Sequence, residues 1–423
     1  MSGDGRLERR LGLGDATVLG LAAMLGAGVF ASFGPAAAAA GSGLLIGLGV
    51  AAVIAYANAT SSAQLAARYP ESGGTYVYGR RRLGPFWGFL AGWAFVVGKT
   101  GSCAAMALTL GTYAWPNHPV VVAVVAVALL TTVNYFGITK TAGLSRVLVV
   151  ITVLALAAVV VATLGGGRAD SANLTDWTTG GIRGVGEAAA LLFFAFAGYA
   201  RIATLGEEVR EPERIIPRAI PLALGLVVAI YALVGLSALA AIGPDDLAQA
   251  AAPLATATDA GDLSWLTPAV RIGGIVASAG VLLSLTAGVG RTTLAMARDR
   301  ELPGVLAAVH PRHRVPHRAE VALGVVVVAI VLVADVRAAI GFSSFGVLIY
   351  YAIANASAFT LPGTQRRWLR PLSILGLVGC VLVALCLPAT TIITGLAVLA
   401  AGLTGRWVSG RVRHVRGPRR TPR

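Results

Sequence analysis

The chain is 423 residues long, 56% hydrophobic and 13% charged, with a formal net charge of +15. A soluble protein has about a quarter of its residues charged, so this composition excludes a soluble domain and places the chain in a membrane. The positive charge does not argue for a nucleic acid partner, because the basic residues lie between apolar stretches and no DNA- or RNA-binding module accompanies them.

At about 20 apolar residues per crossing, the chain divides into twelve predicted spans, near 15–38, 43–66, 84–113, 119–137, 144–165, 184–204, 218–242, 267–293, 319–336, 338–360, 370–387 and 389–406. Residues 1–14 precede span 1. Basic Arg6, Arg9 and Arg10 ahead of an apolar run have the outline of a signal peptide. The apolar stretch over 16–40 is longer than a signal core of about 7–15 residues and is interrupted by Gly26 and Gly28, so span 1 is expected to be retained. Residues 407–423, rich in Arg and Pro, read as a disordered basic tail near anionic lipid.

Span 1 carries a glycine break at mid-depth, Leu25-Gly26-Ala27-Gly28-Val29-Phe30. Span 3 holds Lys99, between Gly98 and Thr100, the single basic residue near the middle of any predicted span. An ionisable group at that depth is a functional hypothesis by default; the bland alternative is a quiet lysine bonded to carbonyls. An external loop over 166–183 leads to span 6, with Glu187 near its outer end and a second break, Phe193-Phe194-Ala195-Phe196-Ala197-Gly198-Tyr199. His310, His313 and His317 fall in a basic cytoplasmic loop without acidic or cysteine partners, so no metal site is expected. Cys103, Cys380 and Cys386 lie in apolar stretches and read as small buried side chains, with no disulfide and no cofactor implied.

The basic residues test the span count. With twelve crossings, 29 of them fall on one side of the membrane and 4 on the other, leaving Lys99 within a span. Basic loops resist translocation, so both termini are expected in the cytoplasm of a multi-pass inner (plasma) membrane protein. One crossing missed or invented would move every later loop across and collapse the split.

The two breaks occur in spans 1 and 6, five spans apart. An odd repeat enters the membrane from the opposite side the second time, which predicts an all-α integral membrane protein: a first five-helix repeat over 15–165, an inverted second repeat over 184–360, and spans 11 and 12 over 361–406. Paired breaks at matching places point to a secondary transporter's substrate site, because unwound backbone offers free N–H and C=O groups inside the bilayer. A carboxylate would sit on the free amides around Ala27 and Gly28, aided by the positive helix end. An ammonium would meet carbonyls of Met24, Phe194 and Ala197, so a zwitterion needs no charged side chain. The bland alternatives are that the glycines let helices pack and that Phe194, Phe196 and Tyr199 are ordinary packing bulk.

Four motifs then occur in order: the Gly-Ala-Gly-Val-Phe break; Arg68-Tyr69-Pro70-Glu71-Ser72-Gly73-Gly74-Thr75-Tyr76-Val77-Tyr78; Glu207-Glu208-Val209-Arg210-Glu211-Pro212 with Ile216-Pro217-Arg218-Ala219-Ile220; and Ala297-Arg298-Asp299-Arg300-Glu301-Leu302-Pro303. From about Gly12 into span 10 the chain resembles the amino acid/polyamine/organocation permease family. The resemblance implies the fold of the sodium-coupled leucine transporter and usually proton-coupled uptake, or exchange, of amino acids, without enzymatic activity. By position it brings Met24, Ala27, Gly28, Phe194, Ala195, Phe196 and Ala197 into the substrate site. It also makes the 70–74 and 207–212 segments latch elements, against the bland reading of solvated loop charges.

Three departures from the family bear on coupling. The acid that many members carry after the span 6 break is Ala200 here, followed by Arg201. The lysine that some bacterial members carry midway along span 5, in place of a sodium ion, matches Thr152. Thr152 with Ser284 or Thr286 would offer only neutral hydroxyls, so sodium is the less favoured ion. Lys99 in span 3 is the third departure and, with Thr152, the candidate for coupling, with a proton as the expected ion. No acid pairs with a cationic substrate at this depth, which favours neutral amino acids. The rivals are an amino acid exchanger, a non-transporting sensor, and a channel. A disulfide-linked partner subunit would require a cysteine in the loop between spans 3 and 4, and residues 113–119 contain none.

Overall fold

The computed structural model describes residues 11–69, 73–137, 142–175, 177, 180–199, 202 and 209–415, with side chains described except at 142 and 409–415. Residues 70–72 and 207–208 of the expected latches, the Ala200 and Arg201 departure, Lys140, Asp176, residues 1–10 and residues 416–423 lie outside the described residues.

Sixteen α-helices lie among the described residues: α1 Leu13–Met24, α2 Ala27–Ala31, α3 Phe33–Ala40, α4 Leu44–Arg68, α5 Thr75–Arg82, α6 Pro85–Ala114, α7 Pro119–Tyr135, α8 Ala142–Gly165, α9 Gly181–Phe196, α10 Pro212–Gln249, α11 Pro253–Asp259, α12 Thr267–Arg298, α13 His317–Val333, α14 Val336–Phe359, α15 Arg370–Cys386 and α16 Ala389–Val415. The extended backbone among them is a single bridge between Leu11 and Val209. Among the described residues, eight helical stretches are long and apolar enough to cross a membrane, and α7 and α15 are shorter apolar helices. Each of the twelve predicted segments holds helix, although two of them are interrupted.

The interruptions have local causes. Span 1 becomes α1, α2 and α3. Its second interruption, at Ser32, follows from Pro35, which lacks the N–H that would bond to Ala31 and whose ring crowds that carbonyl. Span 6 was expected to run to 204, but α9 stops at Phe196. Helix α10 kinks at Gly243, with φ of 74°, ahead of Pro244.

Helix α6 is the centre of the bundle: 89% of its most apolar window is buried, against 11% for α16 at the periphery. Apolar side chains gain little by leaving lipid, so helices in a bilayer associate through close packing of small residues. Gly98 of α6 meets Gly346 of α14 backbone to backbone, where an added Cβ on Gly98 would lie 3.1 Å from the Val347 amide nitrogen. That close approach holds Lys99 in the interior.

Candidate functional site

The two breaks are built from short irregular turns. Helix α1 ends at Met24; Leu25 takes φ −75°, ψ 63°, and Gly26 is extended at φ −113°, ψ −155° before α2 starts at Ala27. The Gly26 amide turns back onto the Met24 carbonyl at 2.8 Å. The first amides of α2, those of Ala27, Gly28 and Val29, have no acceptor within their own helix. At the other break, the Ala197 amide donates to the Phe194 carbonyl and that of Tyr199 to the Phe196 carbonyl, both at 3.4 Å.

The breaks lie directly against each other. An added Cβ on Gly198 would stand 2.2 Å from the Ala23 carbonyl oxygen, and one on Gly28 would stand 2.5 Å from the Ala195 Cα. A Cβ on Gly26 would meet Val281 Cγ2 of α12 at 2.6 Å. The glycines therefore serve close approach of two broken helices, and the side-chain direction at Gly28 is filled by the α9 backbone. Met24, Ala27, Gly28, Phe194, Ala195, Phe196 and Ala197 are all buried, with Phe194 the most accessible at 7%.

Three side chains already serve the carbonyls expected to be free. The Tyr231 hydroxyl of α10 lies 2.6 Å from the Met24 carbonyl and 3.1 Å from that of Ala195, tying the breaks together. The Ala197 carbonyl accepts from Lys99 Nζ at 3.4 Å and from the Tyr351 hydroxyl of α14 at 3.3 Å. A carbonyl oxygen has two lone pairs, so the donors to Met24 and Ala197 occupy both. The Phe194 carbonyl accepts the Ala197 amide and keeps capacity for a second donor. Tyr113 of α6 similarly donates to the Phe30 carbonyl at the end of α2, at 2.9 Å.

Lys99 is 7% exposed, and among the described residues no carboxylate lies within ion-pair distance of it. One turn along α6, the Cys103 thiol is 4.0 Å from the Thr286 hydroxyl of α12. Thr152 donates to the Leu148 carbonyl at 2.8 Å, Ser284 to that of Gly280 at 3.0 Å and Thr286 to that of Leu282 at 2.8 Å. Each hydroxyl thus spends its proton on its own helix, and no hydrogen bond among the described residues joins Thr152 to Ser284 or Thr286.

Polar clasps stand at both ends of the bundle. At one end the Tyr76 hydroxyl donates to Asp299 at 2.5 Å, and Arg80 spans Asp299 at 3.0 Å and Glu301 at 3.6 Å. Arg406 of α16 reaches Glu301 at 3.5 Å. Burial pushes the Glu301 carboxyl up from its ordinary value against the pull of Tyr76, Arg406 and Arg80. Asp15 pairs with Arg146, and the Arg210 amide donates to the Leu11 carbonyl at 3.1 Å. The described part of the 70–74 segment turns at Gly74, φ 56°, so that the Thr75 amide donates to Tyr350 of α14 at 3.1 Å. At the other end Arg337 pairs with Glu187 at 2.7 Å.

Sequence reasoning missed Tyr231, Tyr351 and Glu320. A tyrosine deep in an apolar span needs a partner for its hydroxyl, which was the available signal for the first two. Glu320 fell at the edge of predicted span 9 and reads from sequence as a boundary charge; in the structure it is 2% exposed. An apolar groove of about 690 Å³ between α6, α13, α14 and α16 includes Trp93, Leu323 and Phe342 but none of the break residues. Its lining is apolar and holds none of the break residues, so it is not the site the breaks define.

Residues 11–404 match the family model described as amino acid permease. An uncharacterized transporter of Mycobacterium tuberculosis is 61% identical over 397 residues, covering 94% of this chain and 90% of the relative. The branched-chain amino acid permease BcaP of Bacillus subtilis is 30% identical over 349 residues, 75% of this chain and 73% of that protein. Human cationic amino acid transporter 4 is 29% identical over 383 residues, 84% of this chain and 60% of that protein.

Proposed function

The chain belongs to the amino acid permease family, and we propose that it carries neutral amino acids across the inner (plasma) membrane by alternating access, with uptake driven by the proton gradient. The observation that carries this reading is the meeting of two helix breaks, at Met24–Ala27 and Phe196–Tyr199, around buried backbone groups. The substrate carboxylate takes the first amides of α2, and its ammonium takes the Phe194 carbonyl and exchanges with Tyr231 at Met24. Apolar side chains of the break residues suit a neutral substrate. The similarity to a branched-chain permease agrees with that choice, and the similarity to a cationic transporter makes lysine and arginine the competitors to test.

Lys99 supplies the proton link in this reading. Its ammonium holds the Ala197 carbonyl and keeps the α9 break in the shape that receives substrate. When the proton leaves, the amine no longer holds that carbonyl with a charge-assisted bond, the break relaxes and substrate is released inward. Thr152 keeps a neutral place in α8 where a sodium ion would need stronger oxygen ligands. The bundle crosses twelve times as inverted five-helix repeats over 15–165 and 184–360 with two further spans. Both termini are cytoplasmic, and the Arg80 and Asp15 clasps hold the cytoplasmic side closed.

The test is uptake by purified protein in liposomes, with neutral and cationic amino acids offered under imposed proton or sodium gradients. Accumulation of a neutral amino acid driven by protons is the expected result. Accumulation of arginine alone, or driving by sodium alone, overturns the substrate or the coupling assignment respectively; binding without any transport makes the protein a sensor.

A further inference from the structure

A second ionisable group is buried in the bundle, away from the breaks. Glu320 lies in the first turn of α13, 2% exposed, and its Oε2 has no hydrogen-bond partner. It enters the interface because α12 offers a glycine there: a Cβ on Gly290 would lie 2.9 Å from Glu320 Cγ. The charge it feels from α12 is that of Arg291, with which it forms no ion pair among the described residues. A carboxyl kept for structure is paired or fully hydrogen-bonded when buried. Glu320 instead has a buried carboxylate oxygen with no partner, the arrangement of a group that takes up and gives back a proton rather than one held for structure.

Glu320 also packs one helical turn of α12 from a pair of polar groups, Cys103 and Thr286. Lys99 and Cys103 are one turn apart on α6, and the Cys103 thiol faces Thr286 of α12 at 4.0 Å. Gly290, against which Glu320 packs, is one turn further along that same face of α12. On the other side of Glu320, three residues back, His317 has a buried Nδ1 without a partner. The His317 ring lies 5.3 Å from that of His310 and 6.0 Å from that of Tyr135 on α7, and His310 lies 4.6 Å from His313. The groups facing Glu320 and its outlet are therefore Arg291 from α12, Tyr135 from α7, and His317, His310 and His313 from its own helix and the loop before it.

We propose that Glu320 is the cytoplasmic proton-release site of the transport cycle, an inference that rests on the proton-coupled reading above. The Lys99 ammonium gives up one proton along the Cys103–Thr286 face and becomes an amine. The Glu320 carboxylate takes that proton and becomes the neutral acid. It then passes the proton to the His317 imidazole or to cytoplasmic water and returns to the carboxylate, so one proton crosses per cycle with charge conserved at each transfer.

The test compares wild type, Glu320→Gln and Glu320→Asp in liposomes. Two readouts are used: accumulation of a neutral amino acid driven by a proton gradient, and gradient-free exchange of the same amino acid. The expected result for Glu320→Gln is a loss of driven accumulation of at least about tenfold with exchange retained, and loss of the dependence of release on pH at the cytoplasmic face. Glu320→Asp keeps a proton site and should keep driven accumulation with a displaced pH profile. Driven accumulation in Glu320→Gln with the wild-type pH profile makes Glu320 a packing residue and overturns the proposal. Should Glu320→Gln not fold, an unmoved profile in Glu320→Asp overturns it as well. Absence of proton-driven uptake in the wild type removes the coupling reading itself, and this inference with it, before any variant is compared.

Discussion

The contact between the two breaks makes a prediction with a magnitude that differs between two neighbouring glycines. At Gly28 an added Cβ meets Ala195 Cα at 2.5 Å, and ordinary contact begins at 3.4 Å, so the backbones must part by about 0.9 Å. Overpacking of this kind costs about 1–3 kcal/mol, and here the obstacle is main chain, which has no rotamer to change. That is about a 5- to 150-fold loss in substrate affinity, because the same movement separates the α2 amides from the α9 carbonyls. At Gly26 the obstacle is the Val281 side chain, with Cγ2 at 2.6 Å and Cβ at 3.2 Å. Gly26→Ala should therefore lose affinity and regain most of it in the double variant with Val281→Ala, which removes the Cγ2 atom. Gly28→Ala should lose affinity and gain nothing from Val281→Ala, and Gly28→Val should abolish binding. The assay is equilibrium substrate binding to purified protein, with thermal stability and monodispersity in detergent confirming the fold. Unchanged affinity in folded Gly28→Ala refutes the argument that the breaks are held together at this glycine.

Tyr231→Phe removes the hydroxyl that joins the Met24 and Ala195 carbonyls, and a net hydrogen bond of about 0.5–1.5 kcal/mol predicts a fall of up to about tenfold in affinity; an unaltered binding isotherm would remove Tyr231 from the site. Lys99→Met preserves length but carries no proton, so proton-driven accumulation should vanish while substrate binding persists, weakened by the loss of the bond to the Ala197 carbonyl. Driven accumulation surviving in that variant makes Lys99 a packing residue. For topology, a cysteine introduced at Ser171, in an otherwise cysteine-free protein, should react with an impermeant reagent from outside intact cells, and one at Ser409 should not. The reverse pattern would overturn the span count.

What the sequence disclosed was governed by how local each cause is. Apolar run length and glycine placement are local, so the twelve helical segments and the break at Gly26 could be read directly. Pro35 and Gly243, which bend α3 and α10, were equally visible. The partners of the break carbonyls were not, since Tyr231 and Tyr351 lie 207 and 154 residues from the carbonyls they serve. Glu320 was hidden for the same reason: its burial is set by Gly290 on another helix. The hydroxyls of Thr152, Ser284 and Thr286 looked like candidate ion ligands from their types, but whether a hydroxyl bonds its own helix depends on its rotamer, which sequence does not carry.

The donors on the break carbonyls also bear on how a polar site survives in a bilayer. Unwound backbone left bare at this depth costs several kcal/mol per group, so an empty site with free carbonyls would be unstable. Tyr231, Tyr351 and Lys99 satisfy those carbonyls without substrate. In the proposed site a substrate ammonium would replace a hydroxyl at Met24, exchanging one donor for another rather than creating a bond from nothing. The net gain per contact is small, which suits a transporter that must release what it binds. Under the proposed function it also singles out the one charged donor, Lys99, as the lever on the site: its bond to Ala197 is the member of the set whose strength would change with a proton. Tyr351 shares that carbonyl and is followed back along α14 by Tyr350, which accepts from the Thr75 amide. In the proposed cycle a change in the Lys99 bond would reach that contact through two adjacent residues of one helix.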